Sequence, residues 1–382
     1  MKYDFIIFGG TGQQGRISAR DLLASGYSVL LCGRDSSGIT GLLKNKKAAF
    51  LPLDLRNEDT ITAAIASSGA RVVINCAELA FNIPIMRACI KTRKSLTDLG
   101  GLQAITQEQF ALDTAFKRAK ILAITGCGST PGISNVMAAH AAAQFDHINT
   151  IEVGFAWDSN IKKFVIPYSM QSIFDEFTQA PVTFHYGRFI QEKNMRFEGE
   201  RNFEKIGKQK TYLIVHSEVY SFARYFKSKK IKNIHYLAGF PEHSFKVIQM
   251  LMDTGFNTKE PIMVNKAQVV PLDFTLRVLR RLPIPAGYKE IENIWVNVSG
   301  KKDGKNKKIE MNCIILPIKG WESAGSNVDT GRTISVISQM LIKGMIKEKG
   351  VHAPEGCVPV KEFFKELAKR KMIVYENGRK IN

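Results

Sequence analysis

No run of apolar residues approaches the roughly 18 that a membrane-spanning helix needs. The first residues enter a strand pattern directly, without the basic-then-apolar leader of a secreted protein. Neither a membrane span nor a signal peptide is expected, and the expected location is the cytoplasm. There is no C-x-x-C pair either: Cys32, Cys76, Cys89, Cys127, Cys313 and Cys357 are scattered, which argues for reduced thiols rather than a zinc site or redox disulfide. Low-complexity segments and internal repeats are also missing. Acidic residues are scarce beside basic ones, 35 Asp and Glu against 54 Lys and Arg, for a formal net charge of +19. Much of the excess lies between Lys193 and Lys232 and in Lys301, Lys302, Lys305, Lys307 and Lys308. The second cluster, mixed with Gly300, Asp303, Gly304 and Asn306, has the composition of an exposed hairpin loop. No nucleic-acid module accompanies this charge. A solvated surface, or long-range attraction of an anionic cofactor or substrate, is expected in place of specific nucleic-acid binding.

The chain has 382 residues, 45% of them hydrophobic, enough for two domains with their own cores. Close to its start stands "FIIFGGTGQQGR". The short apolar run Tyr3–Phe8 reads as a strand buried on both faces, and Ile17, Ala19, Leu22 and Leu23 have helical spacing up to Gly26. Between them Gly10, Gly12 and Gly15 form G-x-G-x-x-G. In that motif one glycine makes the turn, one admits a pyrophosphate to the backbone, and one lets helix and strand approach. Thr11, Gln13 and Gln14 complete a cofactor-binding loop at the helix start, where unpaired N–H groups attract an anion.

Further strands are expected at "YSVLLC", "AAFLPLD", "ARVVINCA", "SLTDLGG" and "ILAITGCG", alternating with helices. That alternation predicts an α/β, Rossmann-type parallel sheet with ligands at the carboxyl ends of its strands, so Cys76 and Ala77 should lie beside the cofactor. From "HINTIEVGFAW" onward, alternating strands such as "TYLIVHSEV", "NIWVNVSG" and "IEMNCIILP" predict a second α+β domain with a mainly antiparallel sheet. The tail, "TISVISQMLIKGMI" and "VKEFFKELAKRK", reads as amphipathic helix.

NAD and NADP are told apart at the end of the second strand, here Cys32-Gly33-Arg34-Asp35. Arg34 occupies the turn where a guanidinium would bind a 2′-phosphate, which points to NADP. Should Asp35 face the ribose instead, NAD would be preferred. Asp54 ends the third strand and could reach the adenine or serve only a cap or turn.

Taken in order, "GGTGQQGR", "VVINCAELAFN", "SLTDLGG", "GCGSTPGISNVMA", "HSEVYSF" and "MIKEKGVHAPEGCVP" resemble the saccharopine dehydrogenase family over nearly the whole chain. The resemblance implies an NAD(P)-binding domain (residues 1–128), a substrate and dimerisation domain (129–328) and a helical C-terminal segment (329–382) returning to the first. It also implies a homodimer, and hydride transfer at a carbon bearing nitrogen in an amine, imine or amino acid. Several family members carry acidic or aromatic residues where this chain has Ser129 and Thr130, and "HSE" here continues into "YSFARYF", so the substrate is left open.

Such chemistry requires a hydride placed about 3 to 3.5 Å from the carbon and an acid or charge for the nitrogen. Asp98, at the end of the fifth strand, could hold a substrate ammonium or a cofactor hydroxyl, or simply cap the next turn. Cys127, Ser129 and Thr130 follow the sixth strand near the expected nicotinamide, and Asn135 lies in the first turn of a helix entered through Pro131-Gly132; these are the expected substrate-binding residues. His216 and Glu218, two apart on an alternating strand, would share a face and form an acid–base or substrate pair. His352 and Glu355 are expected to fix a turn. Tyr225 and Lys229 match the Tyr-x-x-x-Lys spacing of short-chain dehydrogenases inside a basic stretch and are read as coincidence. The alternative to an enzyme is an NADP-binding sensor without turnover.

Overall fold

The computed structural model describes residues 2–382. The first sheet is parallel and has seven strands: β1 (Phe5–Phe8), β2 (Val29–Gly33), β3 (Ala48–Pro52), β4 (Val72–Asn75), β5 (Ser95–Asp98), β6 (Leu122–Ile124) and Gly350–His352. From one edge the order is β3-β2-β1-β4-β5-β6, with Gly350–His352 added beside β6. The order reverses between β1 and β4, and the crevice at that switch point is where a dinucleotide belongs. Every residue of β1 and β4 is buried. That is why these strands read as unbroken apolar runs and not as alternation.

The second sheet is built around β7 (His147–Ser159), a strand of thirteen residues. It pairs in parallel with Asn233–Gly239 and antiparallel with Glu290–Lys302; the other ladders of this sheet are antiparallel. Glu290–Lys302 and Lys305–Ile315 form a hairpin turned by Asp303 (φ 50°) and Gly304 (φ 75°). The turn is the exposed lysine cluster expected from composition.

Helix Ile133–Ala142 is mostly buried, and its apolar residues carry one continuous core from β1 into the second sheet. Helix Val328–Ile342 returns to the parallel sheet. Gly331 lets it lie against α1 (Gln13–Ala24), since a Cβ there would come within 3.0 Å of the Gln14 carbonyl and closer still to Ile17. A buried polar lock joins the same elements: Arg370 donates to Asp21, which also accepts from Ser335 at 2.7 Å. The tail is less purely helical than its amphipathic pattern suggests. Beyond its helices, Gly350–His352 extends the parallel sheet, and Ile373–Glu376 joins the second sheet beside Lys305–Ile315.

Candidate active site

The glycine loop leaves the start of α1 open. Gly12 is the N-cap, the first turn contains no acidic side chain, and no side chain caps it. A Cβ on Gly10 would meet the Ile7 carbonyl at 2.9 Å, and one on Gly15 the Gly10 Cα at 2.7 Å. Gly9 (φ 68°) closes the crevice opposite: a Cβ there would lie 2.6 Å from the Ala77 nitrogen and 2.7 Å from the Cys76 carbonyl. At Gly12 the single atom within 4 Å is the Gly9 carbonyl at 3.2 Å, the loosest fit of these four glycines. The loop is therefore tight everywhere except where an anion would approach. Gln13 is exposed, and Thr11 packs against Gly33. Gln14 points elsewhere, its amide donating to Asn327 Oδ1 at 2.8 Å while its Oε1 is buried without a partner.

At the end of β2 the two candidates separate. Asp35 accepts from the Ser37 amide at 2.9 Å and the Ser37 hydroxyl, bonds that hold its carboxyl below its usual range. Arg34 is exposed and makes no hydrogen bond or ion pair among the described residues. Asp54 is bound by its neighbour: Arg56 Nε lies 3.0 Å from both carboxylate oxygens, and those bonds hold the carboxyl at about 2. Its turn role is the one realised.

Asp98 is fully buried. It accepts from the Gly100 amide at 2.8 Å, Thr125 Oγ1 at 3.1 Å, the Gly126 amide at 3.3 Å and Gln109 Nε2 at 2.6 Å. Burial pushes its carboxyl up to about 6 against these bonds. Its work is to fasten the turn after β5 to the turn after β6, and no oxygen is turned out to a ligand. Cys127 differs from expectation in the same way. It is buried, its Sγ donates to the Ile124 carbonyl at 3.2 Å, and burial raises its thiol well above the usual range. After the backbone turn at Gly126 (φ 79°), Cys127 lies in the core, Ser129 is also buried, and Thr130 is partly exposed.

His216 and Glu218 do meet, but not on a strand. Strand Gly207–Leu213 ends before them, and Glu218 opens helix Glu218–Tyr225. Ile214 and Val215 are buried in succession, which breaks the alternation, and Glu218 falls in a first helical turn, where a negative charge is favourable. The Ser217 amide donates to the Gly101 carbonyl at 2.9 Å, so the pair is pinned to the end of β5. His216 Nδ1 contacts Glu218 Oε2 directly, and the ring stacks on Tyr236 at 3.9 Å between centroids. Glu218 Oε1 accepts from Thr130 Oγ1 at 2.6 Å and lies 3.0 Å from Ser134 Oγ, and the Tyr236 hydroxyl is 2.8 Å from Thr130 Oγ1. Burial opposes ionisation of both partners. The mutual charge and hydrogen bond win, raising His216 above its ordinary value and holding Glu218 below its own. Both shifts favour the ionised form of the pair, with Nε2 as the ring nitrogen not held by Glu218.

Asn135 makes no hydrogen bond to this pair and is held by other partners. Its Oδ1 accepts from the Gly132 amide at 2.7 Å and its Nδ2 donates to Glu355 Oε2 at 2.7 Å. Glu355 therefore does more than fix a turn; burial pushes its carboxyl up to about 7. His352 holds the turn with Tyr225, whose hydroxyl lies 3.2 Å from His352 Nδ1. Lys229 donates to the Phe145 carbonyl at 2.7 Å, so Tyr225 and Lys229 do not act together. Sequence reasoning missed Tyr236, Tyr168, Glu176, Glu292 and Asp329. They come from separate elements and share no local pattern.

Among the described residues, no helix is long and apolar enough to cross a membrane and no group of His, Cys, Asp and Glu could hold a metal ion. Two family models match the chain: the saccharopine dehydrogenase NADP binding domain over residues 5–124 and the saccharopine dehydrogenase C-terminal domain over 128–373. A carboxynorspermidine synthase of Vibrio cholerae is 29% identical over 76% of this chain and 73% of its own length. A carboxyaminopropylagmatine dehydrogenase of Synechocystis is 24% identical over 89% of this chain and 87% of its own. The saccharopine dehydrogenase (L-Glu forming) of Saccharomyces cerevisiae matches all of both chains with a TM-score of 0.76 at 12% identity, a likeness of fold.

Proposed function

We propose that this chain, which belongs to the saccharopine dehydrogenase family, is an NADP-dependent oxidoreductase acting at a C–N centre of an amine, imine or amino acid. The observation that carries the reading is the buried His216–Glu218 pair, pinned to the end of β5 by the bond between Ser217 and Gly101. The open start of α1, the close approaches at Gly9 and Gly15 and the unengaged Arg34 fit NADP(H). When bound, that group supplies or accepts the hydride.

The protein's own residues do the rest. Backbone N–H groups at the start of α1 would bind the pyrophosphate, and Arg34 the 2′-phosphate through a forked, charge-assisted contact. His216 Nε2 holds a proton for the substrate nitrogen, Glu218 keeps the imidazole charged, and Tyr236 stacking with the Thr130 hydroxyl fixes its orientation. Two relatives named for carboxylated amines support a C–N centre as the place of reaction. Free cysteines, four of the six buried, fit a reducing compartment, the cytoplasm. Exposed Ile262, Met263, Val264, Phe274 and Ile284 give a second copy an apolar surface to cover in a homodimer.

NADPH oxidation is expected with amine plus oxo-acid or aldehyde mixtures, or NADP reduction with an amine product. Bound NADPH with no turnover across such a panel would favour the sensor. Arg34→Ala should weaken NADPH binding by roughly 1.5 to 3 kcal/mol, the range for a lost charge-assisted bond, and change NADH binding little. Fluorescence titration with both cofactors checks this, and equal losses would remove Arg34 from the 2′-phosphate site.

A further inference from the structure

Strands Val182–His185 and Arg188–Gln191 form a hairpin that stands beside helix Glu218–Tyr225 and leaves a groove against it. Tyr186 (φ 43°) and Gly187 (φ 86°) make its two-residue turn, both in the left-handed region that such a turn needs. The Tyr186 amide donates to the Lys232 carbonyl at 2.7 Å, and Phe184 pairs in register with Ile234, so the hairpin is fixed on the basic loop and the strand that follows it. The groove has a volume of about 450 Å³, within the range of small-molecule sites. Its walls are aromatic. Phe184 and Phe189 lie 5.2 Å apart between centroids, Phe189 and Tyr220 lie 6.1 Å apart, and Ile231 completes the lining. Phe189 is still 44% exposed, which leaves ring surface free to stack.

Charge supplies the second observation. Arg224 and Lys227 line the groove, and no acidic side chain does. The Arg224 guanidinium lies 4.9 Å from the centre of the Phe110 ring, a contact that holds it in place and leaves its charge uncompensated. Neither Arg224 nor Lys227 has an Asp or Glu at ion-pair distance among the described residues. Two free cations match the nearly two negative charges of a phosphate monoester at neutral pH, where a single carboxylate would leave one cation unmatched. The adjoining aromatic surface suits the flat face of a base. None of these residues belongs to the glycine loop, to the ends of β1, β2 and β4, or to the His216–Glu218 pair.

We infer that this groove is a second ligand site, separate from the cofactor crevice, and that it takes a mononucleotide with its base against Phe189 and Tyr220 and its phosphate on Arg224 and Lys227. Part of the basic stretch between Lys193 and Lys232 then has a specific partner instead of solvent alone.

The test is calorimetric titration of the full chain, saturated with NADPH, using GMP, guanosine, inorganic phosphate and phenyl phosphate. GMP lacks adenine, and the cofactor crevice is already filled. GMP should bind at least about tenfold more tightly than guanosine or phosphate, the lower end of what a charge-assisted contact supplies. Lys227→Gln should remove most of the advantage over guanosine, and Phe189→Ala most of the advantage over phosphate. Both side chains are exposed, so the fold and NADPH affinity should be kept. No GMP binding beside bound NADPH, GMP no tighter than guanosine or phosphate, or an affinity unchanged in both variants would overturn the site. Phenyl phosphate as tight as GMP would overturn it in favour of a partner's phosphorylated tyrosine. Absent GMP binding together with sedimentation of Phe189→Ala as a smaller species than the parent would overturn it in favour of a second copy of this chain.

Discussion

Gly12→Val is expected to abolish NADPH binding in a protein that still folds. Gly12 has φ −73° and ψ 173°, a conformation open to any residue, and a Cβ there meets only the Gly9 carbonyl at 3.2 Å. The backbone therefore tolerates the valine after a shift of a few tenths of an ångström. Its methyl groups, however, fill the space over the start of α1 through which a pyrophosphate must reach the N–H groups. Losing two charge-assisted bonds of about 1.5 to 3 kcal/mol each lowers affinity by at least about a hundredfold. Gly15→Ala should fail differently, because its Cβ runs into the Gly9 and Gly10 backbone and disturbs the packing of α1 on β1. Fluorescence titration with NADPH, paired with thermal melting, separates the two. NADPH affinity within about threefold of the parent in Gly12→Val would remove the loop from the cofactor site.

Glu218→Gln should lower kcat by about a hundredfold or more, within the range for a lost general acid, and leave NADPH affinity nearly unchanged. The substitution is nearly isosteric and leaves Thr130 and Ser134 a side-chain oxygen, so the change is mainly one of charge. His216 loses the partner that outweighs burial, and its pKa should fall. The sign follows for rate and stability alike. In the parent, the raised His216 keeps its proton above the ordinary imidazole value, and activity in the reductive direction declines as pH climbs through the raised value. In the variant that decline moves to lower pH. The same linkage gives the pair a stability window: the Glu218 contribution is lost as pH falls through its lowered pKa, and the His216 contribution as pH rises through its raised one. A pH–rate profile with unmoved limbs and kcat within about threefold of the parent would return both residues to structural duty.

What was legible in the sequence was local. The strand, the glycine turn and α1 all lie between Phe5 and Ala24, and each glycine is fixed by a contact with backbone a few residues away or in the next strand. Arg34 was legible for the same reason, being the residue just after β2, and buried strands announced themselves as apolar runs. His216 and Glu218 were paired by the sequence pattern on a strand geometry that the structure does not have, although the two side chains do meet. Alternation at 211–219 suggested a strand, while burial of Ile214 and Val215 and the helix start at Glu218 give the pair its contact.

By itself, then, the sequence determined the parallel sheet, the cofactor loop and the presence of a His–Glu pair, because strand and turn preferences and the spacing of apolar residues act over a few positions. Only the tertiary structure decided which polar groups face a ligand. Asp98 and Cys127 carry promising chemistry at promising positions, but the turns after β5 and β6 close on each other and consume or bury them. Glu176, Tyr236, Glu292 and Asp329 sit unremarked in four segments, and the pairing of β7 with Asn233–Gly239 and Glu290–Lys302, together with the return of helix Val328–Ile342, brings them into one buried neighbourhood. Burial and opposing charge are properties of that assembled neighbourhood, and no stretch of the chain carries them alone.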